Sequence, residues 1–162
     1  MPFATYETSI DSGEPVELYV FAYQGGTFYH TSASEDFDLA GVIYTSVPGL
    51  SRSQIDDTGE ISKSSLTLTA PEDYIISALF EVYPPSDVVE LTVYRLHRAD
   101  PTDIKTMWLG RVLNCTWSVG YSTLMCESMQ TRLKQPGLRR IYSKNCPHGS
   151  SVCRSAKNIV PL

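Results

Sequence analysis

Four cysteines, Cys115, Cys126, Cys146 and Cys153, are the side chains of this 162-residue chain best suited to chemistry. Their spacing is C-x10-C-x19-C-x6-C, and the first 114 positions hold no cysteine at all. Thiolates are nucleophiles and metal ligands, and four of them can complete the coordination of a metal ion or a cluster. Four states of these thiols compete. Structural zinc sites usually show knuckles with about two to four residues between ligands, and this spacing has none. Disulfides suit an oxidising compartment that nothing in the sequence implies. Unliganded thiols would have no need to gather in a polar loop. Ligands drawn from several loops suit a [4Fe–4S] cluster. On residue types alone, cluster, zinc, disulfides and free thiols all stay open.

The elements that must position these cysteines differ for the two pairs. Gly120-Tyr121 is a Gly-X dipeptide, the preferred centre of a type II′ hairpin turn. That turn would set Cys115 directly opposite Cys126 on one face, with Cβ atoms roughly 4.5–5.5 Å apart. A disulfide prefers a Cβ separation of about 3.5–4.5 Å, so a bridge there would be strained, whereas thiolates sharing a metal tolerate the wider gap. The second pair bounds Cys146-Pro147-His148-Gly149-Ser150-Ser151-Val152-Cys153, a loop with little apolar content and two backbone donors, Gly149 and Ser150. A bound metal would order such a loop, because its binding free energy becomes folding free energy. The loop amides could also donate to cluster sulfurs.

Most of the remaining sequence reads as β-structure, with Tyr, Val, Ile and Thr in short alternating runs between turn residues. Strands are expected over 16–23 and 27–31 around Gln24-Gly25-Gly26, then over 41–45 and 64–70, the last with Leu66 and Leu68 inward after an Asp57-Thr58-Gly59 turn. One short helix is expected, with Pro71 at its first position, Glu72 and Asp73 in its first turn, and Ile75, Ile76, Leu79 and Phe80 at helical spacing. Pro84-Pro85 stops it. Strands follow over 88–97, with Val89, Leu91, Val93 and Arg95 on one face, then over 107–116 and 121–127. After Pro136-Gly137 the chain reads as loop.

Composition agrees with a globular chain: 42% of residues are hydrophobic and 19% charged. The N-terminus has neither the basic nor the apolar part of a signal peptide, and no apolar run reaches the length of a membrane span. The expectation is a soluble protein that begins in a cytoplasm. The net charge of −5 conceals an asymmetry: residues 1–100 carry 16 acidic and 4 basic side chains, and residues 101–162 carry 2 and 9. Attraction between faces or between copies accounts for this. Specific nucleic-acid binding is not expected, since no dense Lys/Arg run or aromatic RNA-binding signature is present.

Rival sites are weaker. His148 could replace a thiolate or bond a sulfur, but an ordinary loop histidine explains it, and His97 reads as a solvated strand end. A Cys/His hydrolase built on Cys146 or Cys153 with His148 lacks a nucleophile elbow or any peptidase signature. Asp36 with Asp38, or Asp56 with Asp57, fits no EF-hand, and Gln24-Gly25-Gly26-Thr27 is no phosphate loop. Trp108 and Trp117 are both expected to be buried near the cysteines.

The stretch Trp108-Leu109-Gly110-Arg111-Val112, Cys115-x-Trp117, Leu124-Met125-Cys126-Glu127-Ser128, Gly137-Leu138-Arg139-Arg140-x-Tyr142 and Cys146-Pro147-His148-x4-Cys153 forms one pattern. With Leu18-Tyr19-Val20-Phe21, Tyr44-Thr45 and Val93-Tyr94-Arg95-Leu96-His97-Arg98 upstream, it resembles the baseplate hub and tail-tip proteins of long-tailed phages and gene transfer agents. The resemblance covers most of the chain and is most specific at the cysteines. It implies an iron–sulfur cluster, [4Fe–4S], on Cys115, Cys126, Cys146 and Cys153. It also implies a non-enzymatic subunit of the virion tail tip, assembled in the bacterial host cytoplasm. The implied assembly is a homo-oligomeric ring, a trimer, between the distal tail protein and the central tip or fibre-bearing protein, with the tape measure protein as a further neighbour. Relatives of this kind often continue into a further domain, whereas this sequence ends nine residues after Cys153, so the resemblance does not carry over that domain's functions.

The resulting expectation is a mainly β fold, an antiparallel sandwich or partly open barrel with one short helix. A β-rich hub domain spans 1–105, and a hairpin plus cluster-binding loop segment spans 106–162, the two forming one continuous unit. A zinc-stabilised binding module is the alternative reading, and a cysteine hydrolase the more remote one.

Overall fold

The structure, a computed structural model, describes residues 3–8, 14–55 and 65–129. The chain divides into two compact units, Met1–Arg132 and Leu133–Leu162. The expected boundary at 105/106 falls inside a single strand of the first unit. The first unit is mainly β. Its elements are α1 (Phe3–Glu7), β1 (Pro15–Tyr23), β2 (Gly26–Thr31), β3 (Phe37–Leu39), β4 (Val42–Ser46), β5 (Ser51–Arg52), β6 (Ser65–Pro71), α2 (Ile75–Ala78), β7 (Val89–His97), β8 (Asp100–Ser118) and β9 (Tyr121–Ser128).

All nine strands join one open sheet in the order β3-β4-β2-β1-β7-β8-β9-β6-β5. Neighbours are antiparallel except β2 and β4, which pair in parallel through His30–Thr45 and Thr31–Ser46. The sheet is strongly curled. Five strand spacings separate β1 from β5, roughly 24 Å in a flat sheet at about 4.8 Å per strand. Yet Arg52 of β5 donates from Nε to both carboxylate oxygens of Glu17 on β1, at 3.1 and 3.0 Å. The strands β1-β7-β8-β9-β6-β5 therefore wrap into a partly open barrel whose gap this ion pair spans.

Alternation decides what lies inside. In β6 and β9 every second residue is buried: Leu66, Leu68 and Ala70 on one, Ser122, Leu124, Cys126 and Ser128 on the other. Tyr19, Phe21, Val89, Leu91, Val93, Trp108 and Val112 complete the inward rows, and Tyr74, Ile76 and Phe80 close over them. On β1 the other face is buried too. Val16 and Leu18, with Leu96 of β7 and Tyr44 of β4, form a second cluster under the β3–β4 hairpin.

The helix differs from expectation. Pro71 is the last residue of β6, where its carbonyl accepts the Tyr74 amide at 3.1 Å, and helical structure begins only at Ile75. The barrel wall extends one residue further than the proline signal suggested because Pro71 pairs with Tyr121 of β9. Helix α1, which periodicity did not announce, adds a second short helix. Its Phe3 ring meets His97 edge-on at 4.7 Å, and Glu7 pairs with Arg95 at 3.1 Å. His97 is consequently 2% exposed and not a solvated strand end.

Candidate metal centre

Cys115 and Cys126 sit on β8 and β9, the hairpin whose turn was expected at Gly120-Tyr121. The turn lies one residue earlier. Ser118 pairs with Tyr121, so Val119 and Gly120 are the central residues, and the positive φ of +83° falls on Gly120, the second of them. A type II′ turn needs the positive φ at the first position. The register moves accordingly: Cys115 faces Leu124, and Cys126 faces Val112 beyond a bulge at Leu113. The two cysteines are therefore not opposite each other, which corrects the sequence expectation.

They nevertheless remain on one face. Moving the turn by one residue displaces the partner of Cys115 by two positions, from Cys126 to Leu124, and a two-residue displacement preserves facing. Cys126 belongs to the barrel core, and Cys115 packs against that core from the same hairpin. Their relation is diagonal, a spacing of roughly 7–8 Å between strand positions. That is too wide for an unstrained disulfide, and both residues are free thiols.

The environment favours neutral sulfur. Burial pushes the Cys126 thiol up to about 12. Burial raises Cys115 as well, and the neighbouring Ser77 side chain and Thr123 backbone pull the other way. A metal deprotonates such thiols by supplying the missing positive charge. Among the described residues no three His, Cys, Asp or Glu side chains gather as a metal-binding group. Cys146, Cys153 and His148 lie outside the described residues, as do Asp56 and Asp57. The described part holds two of the four cysteines, free and on adjacent strands, Cys126 buried and Cys115 partly exposed. Those properties fit a four-thiolate centre.

The neighbouring residues were only partly foreseen. Trp108 is buried in the core beneath the hairpin, as expected, but Trp117 is 40% exposed near the turn, since the barrel wall ends there. Asp36 and Asp38 serve turns: they accept from the Ser46 and Gly41 amides at 2.7 and 2.9 Å. Sequence reasoning missed Ser77 and Ser122, two fully buried hydroxyls 2.6 Å apart between α2 and β9. The alternation Ser122–Leu124–Cys126 was the available signal for the second. Nothing local marked the first.

Residues 16–154 match the family described as "Baseplate hub protein, N-terminal attachment domain". An uncharacterized protein of Xylella fastidiosa (strain 9a5c) is 27% identical over 139 residues, covering 78% of this chain and 28% of that protein. A chain in the structure titled "Virion of native gene transfer agent (GTA) particle" superposes with a TM-score of 0.69 at 14% identity, covering 91% of this chain and 50% of the other. At that identity the likeness concerns the fold. The chain spans about half or less of the length of both relatives.

Proposed function

Because the chain belongs to the baseplate hub protein family through its N-terminal attachment domain, we propose that it is a structural subunit of a phage-type tail tip, stapled by an iron–sulfur cluster. Its proposed ligands are Cys115, Cys126, Cys146 and Cys153. The observation that carries the reading is the inward-facing pair of free thiols on adjacent strands of the hairpin. The family match and the gene transfer agent likeness support the setting, a virion rather than a metabolic one.

When bound, the cluster supplies cross-linking. Residues 133–162 carry six basic and no acidic side chains. Thiolate ligation from that segment to the barrel would replace a hydrophobic core with coordination bonds. The barrel side provides rigidity: Cys126 is held in a packed wall, and Cys115 packs against the same core. The role is structural, not catalytic. In this reading the ring is a homo-oligomer, a trimer, seated between the distal tail protein and the central tip or fibre-bearing protein, adjacent to the tape measure protein. It assembles in the host cytoplasm and remains in the virion.

The test is anaerobic purification followed by an absorption spectrum and iron, sulfide and zinc analysis. A brown protein with a broad band near ~400 nm, and about four irons and four sulfides per chain, is expected. Cys→Ala at Cys115, Cys126, Cys146 or Cys153 should lower cluster content and block incorporation into tails. Colourless protein with one zinc per chain would keep the staple and replace the metal. Metal-free protein that still assembles would end the proposal.

A further inference from the structure

His30 and Tyr74 are polar side chains buried without the partners that burial usually demands. His30 is 9% exposed and Tyr74 5%. Among the described residues neither ring nitrogen of His30 has a hydrogen-bond partner, and the Tyr74 hydroxyl has none either. The surroundings of His30 are aromatic. Its ring meets Tyr74 edge-on at 5.2 Å and Phe21 at 6.2 Å, and Phe21 meets Tyr74 at 6.1 Å. Phenylalanine would fill the same place without stranding two nitrogens, so the histidine gives up stability that packing does not require it to lose.

The position joins the barrel wall, the β3–β4 hairpin and α2. His30 pairs with Tyr19 of β1 and with Thr45 of β4, the latter being one of the two residue pairs of the parallel β2–β4 contact. Tyr74 leads into α2: its amide donates to the Pro71 carbonyl at 3.1 Å, and its carbonyl accepts from the Ala78 amide at 3.1 Å. Its ring belongs to the core that α2 helps to close. The stacking of His30 on Tyr74 therefore ties the start of α2 to β2.

A neutral imidazole tolerates this seat, and an imidazolium does not. Protonation turns both nitrogens into donors, and neither has an acceptor among the described residues. From β1 the titratable neighbour is Tyr19, whose hydroxyl donates to Glu17 at 2.9 Å, and that carboxylate is engaged by Arg52 and Arg95. From β4 the paired residue is Thr45, which does not titrate. From the α2 side it is Tyr74, behind which Cys126 of β9 acts on Tyr74 and not on His30. Attraction of a cation to the Tyr74 and Phe21 rings is small beside the cost of burying an unpaired charge. Burial accordingly holds the His30 pKa below its ordinary 6.5. A base depressed in this way contributes stability that is whole above the unfolded value and is lost as the pH falls toward the folded one.

We propose that His30 is an acid-sensitive latch: neutral, it seats Tyr74 and α2 on the barrel, and protonated, it releases them. The latch is separate from the cluster and does not depend on it.

The test uses the full chain, purified identically as wild type and His30→Phe, and unfolded in urea between about pH 7.5 and 5. Below 6.5 the wild-type unfolding constant should rise relative to that of the variant, by up to about tenfold per pH unit. Native-state hydrogen exchange, corrected for the intrinsic pH dependence, reads the helix itself. The Ala78, Leu79 and Phe80 amides should lose protection over the same window in wild type and keep it in His30→Phe. Glu17 does not imitate this, because its contribution is lost only as pH falls from about 4.5. Parallel stability profiles for the two proteins would overturn the proposal. So would diverging profiles with unchanged protection at the three amides, since His30 would then affect stability without releasing α2. Should His30→Phe fail to fold, the His30 ring is titrated by NMR in wild type. Protonation below 6.5 that coincides with loss of α2 protection supports the latch. Protonation at or above 6.5, or without that loss, refutes it.

Discussion

Replacing Glu17 by Gln should open the barrel at its seam. Glu17 accepts from Arg52 across the gap, from Arg95 Nη2 of β7 at 2.9 Å and from the Tyr19 hydroxyl at 2.9 Å. The side chains of Arg52 and Glu17 are only 12% and 16% exposed, so the pair is largely shielded from solvent. Breaking a fully buried pair by removing one partner costs about 3–5 kcal/mol. Gln keeps one acceptor oxygen and some water reaches the site, so about 2–3 kcal/mol is expected here. For a unit of this size that lowers Tm by roughly 8 °C, taking about 3–4 °C per kcal/mol. The assay is urea unfolding followed by circular dichroism, with Arg52→Gln and the double variant completing a cycle. A coupling of about 1 kcal/mol or more is expected between residues in direct contact. The same carboxylate carries an acid signature. Burial works to raise the Glu17 pKa, but the hydrogen bonds from Arg52, Arg95 and Tyr19 prevail and hold it below its ordinary 4.5. A depressed folded pKa contributes stability above the unfolded value, and that contribution is lost as pH falls from about 4.5 through the folded one. Glu17→Gln should lose this part of the acid sensitivity. A change within about 0.5 kcal/mol of wild type, the range of an ordinary surface substitution, would refute the seam argument.

Gly110→Ala should destabilise by about 2–4 kcal/mol, measured by the same unfolding, because a Cβ there would overlap the Glu127 backbone carbonyl and the Trp108 ring. A neutral outcome would mean that β8 and β9 do not approach as closely as described. Ala40→Asn should stabilise by about 0.5–1 kcal/mol. Ala40 and Gly41 link β3 to β4 with φ of +54° and +86°, and asparagine tolerates the left-handed region better than alanine. A loss of Tm in that variant would contradict the turn geometry.

The sequence alone determined what local chemistry controls. Alternation placed Leu66 and Leu68 inward, and Gln24-Gly25-Gly26 marked the turn between β1 and β2, because period-2 burial and turn-residue preference act over a few residues. The type and clustering of the four cysteines are likewise read from the residues, since thiolate chemistry belongs to the residue. The turn at Val119-Gly120 was one residue from the expected Gly120-Tyr121, because two adjacent turns compete locally and cross-strand packing chooses between them. Facing survived that error, and direct opposition did not. Only tertiary structure decided the rest. Pro71 could open a helix or close a strand, and pairing with β9 made it a strand residue. Trp117 looked like core but is 40% exposed near the β8–β9 turn, and His97 looked solvated until α1 folded across it. The Glu17–Arg52 seam joins residues 35 apart, and the Ser77–Ser122 pair joins residues 45 apart. No periodicity spans such distances. They meet because the sheet curls, and curl is a sum of strand twists and bulges that no single segment encodes.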